Sequence, residues 1–226
     1  MTVCLFLTFR AGAPVDAAET WKVEKTLASV PKLRKALIHT SSSADDPYIK
    51  DEKPPQLVLQ LYFGELPDLE ASLGRHGPLS ALTSHAEFPV IGQADVTQQA
   101  MTARTFAVPE PKSPGCTYLV AYEGEAQDLN AWLDHYVQVH TGHMAGFPGI
   151  RELEIYTRLD WISALPFRRV NYMQRNKVAF DDAAALTAAL HSPVRHAMRA
   201  DFQAFPPFTG PVTHFAMATR VVHPAA

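Results

Sequence analysis

The sequence predicts an α+β fold in which two βαββαβ modules pair through antiparallel sheets into one α/β barrel. An internal repeat and a shared order of strand and helix signals in the two halves lead to this prediction. Leu73 and Leu190 are 117 residues apart, and the segments Ala100–Arg104 and Ala216–Arg220 are 116 apart. One insertion or deletion accounts for the difference, so the halves correspond along most of their length.

Each half shows the signals strand, helix, strand, strand, helix and strand. In the first half these cover Val3–Phe9, Ala17–Val30, Leu33–Thr40, Leu57–Phe63, Leu66–His85 and Val96–Val108. In the second half they cover Thr117–Tyr122, Asp128–Met144, Ile150–Arg158, Arg168–Val178, two helical pieces within Asp181–Phe205, and Val212–Val222. This is the order of a ferredoxin-like module, whose helices cover one sheet face. The two uncovered faces can then pack against each other.

The predicted modules cover residues 1–108 and 115–226. Between them, residues 109–114 have the sequence Pro-Glu-Pro-Lys-Ser-Pro, which is typical of an extended connector.

Composition excludes several classes of protein. The 226 residues include 20 Lys and Arg against 23 Asp and Glu, and 47% are hydrophobic, which is too apolar for a disordered chain. A formal charge of −3 disfavours a nucleic-acid partner. The apolar run Val3–Phe9 is too short for a membrane span or a signal segment, so we expect a cytoplasmic protein without membrane attachment. Cys4 and Cys116 do not suggest a disulfide framework.

The helix predicted over Asp128–Met144 carries the main candidate residues. With Leu129 at 0° and 100° per residue, Tyr136 falls at about −20°, His140 at about +20° and His143 at about −40°. His135 falls off this face, at about −120°. A histidine at the centre of an apolar stripe suits proton transfer near neutral pH, with Tyr136 as a hydrogen-bonding partner of a substrate. The alternative is a His–Tyr pair that belongs to the core.

The last helix places a carboxylate in its apolar stripe. Asp201 falls at about −20° relative to Val194, on the same side as Met198 and Phe205. A buried carboxylate needs a partner. That partner is either structural, such as Arg195, Arg199 or a backbone group, or it is a catalytic histidine or a substrate that Asp201 orients.

Two loops differ in character. The loop Ser41–Pro55 is polar and is expected to be mobile, whereas Leu159–Phe167 is apolar and contains Trp161. The apolar loop either packs on the other module or covers a pocket as a lid, in which case Trp161 would contact the substrate.

Other site classes lack support. No H-E-x-x-H sequence, glycine-rich phosphate loop, G-x-S-x-G elbow or CxxC pair is present. His135, His140 and His143 do not share one helix face. We therefore expect neither a metal nor a cofactor.

The second half resembles a known family. His135–His140 followed by Phe147–Arg151 is similar to the Y-x-x-x-H…P-G motif of EthD-like proteins, in the dimeric α/β barrel superfamily. Ser192–Arg195 with Ala200, Asp201 and Phe205 resembles that family's S-P-x…A-D…F pattern. The resemblance covers about half of the chain. It implies a ferredoxin-like module that pairs through its sheet, in cytoplasmic proteins often linked to degradation of organic compounds.

The first half departs from this motif, with Trp21 and Lys25 where the second has Tyr136 and His140. We therefore expect a degenerate first module and one site, in the second.

Two functions are compatible with these residues. In the first, an EthD-like enzyme performs isomerisation, cyclisation or decarboxylation on a small, largely apolar molecule. His140 and Tyr136 would be catalytic, and His143, Asp201 and Trp161 would contact or orient the substrate. The alternative is a non-catalytic binding or stress-associated barrel. The expected partner is a small-molecule ligand, and the tandem chain could form a homodimer.

Overall fold

The computed structural model describes residues 2–50 and 53–224. Within these ranges the strands are β1 (Thr2–Arg10), β2 (Leu33–Ser41), β3 (Leu57–Phe63), β4 (Asp95–Phe106), β5 (Cys116–Tyr122), β6 (Glu152–Arg158), β7 (Arg168–Arg169), β8 (Gln174–Phe180) and β9 (Val212–Val222). The helices are α1 (Ala17–Ala28), α2 (Leu66–Ser72), α3 (Leu129–His135), α4 (Thr141–Ala145), α5 (Ala183–Leu190) and α6 (Pro193–Gln203). A π turn, Tyr136–His140, joins α3 to α4, and the 3-10 turns are Pro78–Thr83 and Ile91–Gln93.

Among the strands of the described ranges, all but the short β7 close into an antiparallel barrel. The order around the barrel is β1-β3-β2-β9-β5-β8-β6-β4, and β4 pairs back with β1. The first half contributes β4-β1-β3-β2 and the second contributes β9-β5-β8-β6, which is the same order of fourth, first, third and second strand. This confirms the predicted fold class.

The two sets of strands join at two antiparallel seams. Thr40 of β2 pairs with Ala218 of β9, and Ala103 of β4 pairs with Tyr156 of β6. Closure leaves none of these eight strands with a free edge, which removes the sites at which an open sheet would pair with other chains.

Alternation along the strands divides the apolar residues into three cores. On β1, Leu5 and Leu7 belong to a core beneath α1 and α2, whereas Cys4 and Phe6 face the barrel interior. In the second half, Tyr122 belongs to the core beneath α3 to α6. The helices therefore cover the outside of the barrel, and each half has its own space between helix and sheet.

The barrel interior also holds a buried ionic cluster. Nζ of Lys177, which is fully buried, lies 2.6 Å from Glu152 Oε2 and 2.8 Å from Glu154 Oε2, and donates to the Tyr62 hydroxyl at 3.1 Å. Burial opposes the charge on Lys177, but the two carboxylates outweigh burial and raise its pKa. Burial likewise opposes ionisation of Glu154, yet the positive charges of Lys177 and Lys35 lower its pKa to about 2.

Two of the predicted elements are wrong in extent. The helix predicted over Leu66–His85 ends at Ser72, and a 3-10 turn follows from Pro78. At Gly77 a Cβ would lie 2.4 Å from Ser72 O, so the chain turns where only glycine fits. The strand predicted over Arg168–Val178 is two strands, β7 and β8, separated by residues 170–173, which belong to neither strand.

Candidate active site

A pocket lies between the helices of the second half and the outer face of β5, β8 and β9. It is partly open to solvent. Its walls are largely aromatic and aliphatic, with polar groups at a few points. The lining residues are Ile49, Tyr118, Val120, Tyr122, Tyr136, His140, Met144, Phe147, Asn176, Val178, Leu190, Arg195, Met198, Arg199, Phe202 and His214. An apolar cleft with a small number of polar groups is typical of small-molecule sites. We call it the dyad pocket, after the His140–Asp201 pair.

The helix that carries His140 contains a local change of pitch. It begins at Asp128, whose side chain caps Ala131 N at 3.0 Å. In the following π turn the N–H of Thr141 bonds to the carbonyl of Tyr136, five residues earlier. His135 and His140, also five residues apart, are therefore brought to one face. In a regular α-helix they would lie about 140° apart.

Asp201 of α6 joins these two histidines. Its Oδ2 lies 2.7 Å from His140 Nδ1 and its Oδ1 lies 2.9 Å from His135 Nε2. The Asp201 side chain is 8% exposed. The ring of Phe205 packs edge-on against both imidazoles, with centroid distances of 4.9 Å to His140 and 5.2 Å to His135. Asp201 and Phe205 together hold both rings in place.

The ionisation of Asp201 determines which ring nitrogen of His140 carries no proton. Burial opposes ionisation of Asp201, but the hydrogen bonds from His140 and His135 outweigh burial and lower its pKa. An ionised carboxylate only accepts, so His140 Nδ1 carries the proton that it donates. Burial lowers the pKa of His140 to about 4, although Asp201 opposes this shift. At neutral pH His140 is therefore uncharged, with its lone pair on Nε2.

Tyr136 contributes a hydroxyl to the same pocket. The tyrosine is fully buried, and its ring stacks on Trp132 at 5.0 Å and tilts against His140 at 4.9 Å. Its hydroxyl accepts a hydrogen bond of 2.6 Å from Asn176 Nδ2. Burial raises the pKa of Tyr136 well above the ordinary value, so the hydroxyl keeps its proton.

Several buried polar atoms beside Tyr136 lack a partner. Within the described residues these include Asn176 Oδ1, both side-chain amide atoms of Gln174 and the indole nitrogen of Trp132. Buried polar groups are nearly always hydrogen-bonded in native proteins. Asn176 also lines the dyad pocket, so its free oxygen is an acceptor available to a bound molecule.

A segment from the first half packs against α6 beside the pocket. Asp46, between β2 and β3, accepts hydrogen bonds from Arg195 at 2.9 and 3.0 Å and from the Tyr118 hydroxyl at 3.1 Å. Two residues further on, the Tyr48 hydroxyl and His196 Nδ1 are hydrogen-bonded. Ile49 reaches the pocket wall. We call residues 45–49 the cover segment. It lies in the loop that was expected to be polar and mobile.

Solved structures resemble this chain over nearly its whole length. An anthrone oxidase-like protein superposes with a TM-score of 0.65 at 14% identity, covering 97% of this chain and 92% of its own. A proposed monooxygenase from Fusobacterium nucleatum gives a TM-score of 0.59 at 8% identity, over 98% and 94% of the two chains. The chain has the dimeric α/β barrel fold. Here one chain supplies both sets of four strands.

The sequence comparisons leave the family open. No family model matches the chain, and no curated protein matches it. An EthD family protein from Bacillus halodurans superposes on 43% of this chain with 95% of its own chain, at 20% identity and a TM-score of 0.34.

The α/β barrel brings three of the predicted site residues together. Tyr136 and His140 line the dyad pocket, and Asp201 binds His140 from behind. His143 is partly exposed and is absent from the pocket lining, and its side chain makes no hydrogen bond to the described residues. It therefore lies beside the dyad without joining it.

Trp161 lies away from this site. It is buried in the core of the first half, with Leu165 and Phe167 of the same loop, and Arg169 packs on its ring at 4.1 Å. Of the two expectations for the apolar loop, packing on the other half is the one observed. The reason is that β7, which follows this loop, pairs with β4 of the first half.

Sequence reasoning missed His135, Asn176 and the cover segment. A helical-wheel projection at 100° per residue placed His135 off the face, because the projection assumes a regular α-helix and the chain here forms a π turn. Asn176 gave a usable signal, since it shares the helix-facing side of β8 with the apolar Val178. No local signal identified the cover segment.

The first half has no counterpart of the dyad at the aligned positions. Trp21 is 56% exposed on α1, and Lys25 packs on its ring at 5.4 Å. Among the described residues, no group of three or more His, Cys, Asp or Glu side chains could hold a metal ion. None of the helices in the described ranges is both long and apolar enough to cross a membrane.

Proposed function

We propose that the protein is an EthD-like enzyme that moves a proton on a small, largely apolar molecule, with His140 as the general base. The Asp201–His140 pair at the wall of an otherwise apolar pocket is the observation that carries this proposal. The reaction is an isomerisation, cyclisation or decarboxylation in the breakdown of organic compounds, and it needs no cofactor.

The first step is proton transfer to His140. A C–H or O–H bond of the substrate breaks, its electron pair stays on the substrate, and the proton goes to Nε2. The resulting imidazolium is stabilised by the Asp201 carboxylate at 2.7 Å. Return of the same proton to another atom completes an isomerisation, so the step balances without a further reactant. Asp201 is a positioning residue, because it acts through His140.

Polar groups in the pocket match the charge that develops. The protonated hydroxyl of Tyr136 can donate to an enolate or phenolate oxygen, and Asn176 Oδ1 can accept from a substrate hydroxyl. Tyr122 and Phe202 offer aromatic walls to the rest of the molecule. The substrate that fits best is therefore a ring compound with one oxygen function and an acidic proton.

Two structural neighbours, at 14% and 8% identity, are described as anthrone oxidase-like and as a proposed monooxygenase. These descriptions are compatible with an organic substrate, and the fold is what the likeness itself shows. The division into a degenerate module, 1–108, a connector, 109–114, and a site-bearing module, 115–226, belongs to the same proposal. The exposed positions of Trp21 and Lys25 support it.

Solvent exchange tests the proposal without knowledge of the natural substrate. The protein is incubated in D₂O with small aryl ketones and phenols, and deuterium in the recovered compounds is measured by mass spectrometry. We expect exchange of at least one compound, and His140→Gln should slow it by about 10²-fold or more. His143→Gln, the matched control on the next helical turn, should exchange like the wild type.

Two results would reject the enzyme. The first is exchange that His140→Gln leaves unchanged. The second is an absence of exchange throughout the panel, together with a large fall in melting temperature for His140→Gln. The second result would make His140 a core residue of a non-catalytic barrel.

A further inference from the structure

A second cavity lies on the opposite side of β5, at one open end of the barrel. It is partly open to solvent and, apart from Val120, shares none of its lining residues with the dyad pocket. We call it the barrel mouth and define it by Thr8, Arg10, Thr97, Leu119, Arg175 and Phe215. Nothing in the proposed reaction uses these residues.

Arg175 of β8 is held in a fixed position at the barrel mouth by its neighbours. Its guanidinium lies between two aromatic rings, 4.9 Å from the centroid of Phe6 and 4.6 Å from that of Tyr172. Nε donates to Gln99 Oε1 at 3.4 Å, and Gln99 is itself held by a bond of 2.9 Å from its Nε2 to Tyr172 O. Gln99 is 2% exposed. The plane and position of the guanidinium are thereby held from three sides.

The acidic residue that favours the charge of this arginine, Glu123, lines the same cavity but does not form an ion pair with it. Within the described residues Arg175 forms no ion pair, whereas Arg151, Arg158, Arg168, Arg195 and Arg220 each pair with an acid. Burial lowers the pKa of Arg175 to about 10, which leaves it charged at neutral pH. A partly buried charge that lacks a direct ion pair is costly, and an anion in the adjoining cavity would lower that cost.

The charges around the mouth indicate the charge of that anion. Three arginines, Arg10, Arg168 and Arg175, face two carboxylates, Asp95 and Glu123. Asp95 is engaged by Arg168 at 3.4 Å. The balance of three positive and two negative side chains leaves one positive charge, which matches a monoanion.

The inner lining of the mouth indicates what the anion is attached to. Val58, Leu119 and Phe215 give the cavity an apolar side, and Arg10 packs over the Phe215 ring at 5.4 Å. An apolar group could pack on this side while its charged end meets Arg175. A free phosphate would leave this surface uncovered.

We infer that the barrel mouth is a binding site for a small organic monocarboxylate, held through the guanidinium of Arg175. The remaining N–H groups of Arg175 form the planar fork that suits a carboxylate, and the apolar part of the ligand packs on Leu119 and Phe215. The site is independent of the dyad pocket, so it can exist whether or not His140 is catalytic.

Benzoate is the probe for the test, with uncharged benzamide and inorganic phosphate as comparisons. Titration of the ¹⁵N-labelled wild-type protein with benzoate should shift the amide signals of Thr8, Thr97 and Ala121. The signals of Met144 and Leu190, at the dyad pocket, should stay in place. Benzamide and phosphate should produce no saturable shift at the mouth.

Two variants complete the test. Arg175→Gln should weaken benzoate binding about tenfold or more, because it removes the charge and keeps a planar polar group. Arg199→Gln, which changes an arginine of the dyad pocket, should leave binding unchanged. The inference is overturned by shifts that map to the dyad pocket, by equal binding of benzamide, or by the absence of saturable shifts at the mouth. The wild-type mapping decides the matter even if Arg175→Gln does not fold.

Discussion

His140 Nδ1 donates a hydrogen bond of 2.7 Å to Oδ2 of Asp201, across the gap between the π turn and α6. The bond joins residues that are 61 positions apart in the chain. It orients the ring, selects the tautomer with a free Nε2, and supplies the counter-charge for the imidazolium.

Asp201→Asn should reduce proton transfer much more than it reduces stability. The amide keeps the shape of the carboxylate, but it has a single acceptor oxygen for two histidine N–H groups and no charge for the imidazolium. We expect a loss of about 10²- to 10⁴-fold in exchange rate and about 1–3 kcal/mol in the free energy of unfolding. Deuterium exchange and urea denaturation measure the two effects. An exchange rate within about twofold of wild type would show that Asp201 has no part in proton transfer.

The proton-transfer rate should stay constant from pH 8 to about pH 5 and decrease below about pH 4. The reason is that His140, with a pKa of about 4, remains unprotonated at Nε2 down to that value. An ordinary histidine would lose activity near its usual pKa of about 6.5. The measurement is the pH dependence of exchange at saturating ligand. A decrease centred near pH 6.5 would place the free nitrogen in contact with water.

The same pKa predicts the pH dependence of stability. Because the folded-state pKa of His140 lies below the unfolded value, the unfolded chain binds the proton more readily. Stability due to this group is complete above about pH 6.5 and is lost as the pH falls toward about 4. His140→Gln should abolish this part of the pH dependence. Parallel denaturation series for the two proteins between pH 7 and 4 give the comparison.

Lys177→Met should destabilise the barrel strongly. Removing the ammonium leaves Glu152 and Glu154 without their buried counter-charge, and breaking a buried pair in this way typically costs about 3–5 kcal/mol. Lys112→Met is the matched control, because Lys112 pairs with Asp181 at the surface and is 65% exposed. It should change stability by less than about 1 kcal/mol. Equal effects of the two changes in chemical denaturation would mean that the interior cluster is hydrated.

Asp46→Asn should weaken closure of the dyad pocket. It removes the charge that pairs with Arg195, where the two side chains are 4% and 9% exposed. We expect a loss of about 1–3 kcal/mol in the free energy of unfolding. The compound that undergoes hydrogen exchange in the dyad pocket should also dissociate faster, which would be measured as a higher KM. Asp45→Asn is the control, since Asp45 is 77% exposed and pairs with His191. The free energy of unfolding of Asp45→Asn should stay within about 0.5 kcal/mol of that of the wild type. An unchanged KM in Asp46→Asn would show that the cover segment does not restrict access.

The candidate site was predictable where helical periodicity carried the information. Tyr136, His140 and Asp201 each stood in an apolar stripe, and each lies in the second half's space between helix and sheet. Trp161 was assigned from the character of its loop alone, and the loop packs on the other half. His135 was placed off the helix face because a helical-wheel projection assumes the same rotation for every residue, whereas a π turn changes the rotation locally.

The sequence by itself determined the fold class, because the repeat and the element order are written in local patterns, and the apolar stripes of two helices pointed to Tyr136, His140 and Asp201. Only the tertiary structure decided the partners. Asp201 meets two histidines rather than Arg195, because Arg195 is already paired with Asp46 from the other half. Asn176 meets Tyr136, and Arg175, which forms no ion pair within the described residues, packs between Phe6 and Tyr172. These contacts join residues distant in sequence. They are set by which surfaces meet when the two sheets close into a barrel, and local periodicity carries no information about that meeting.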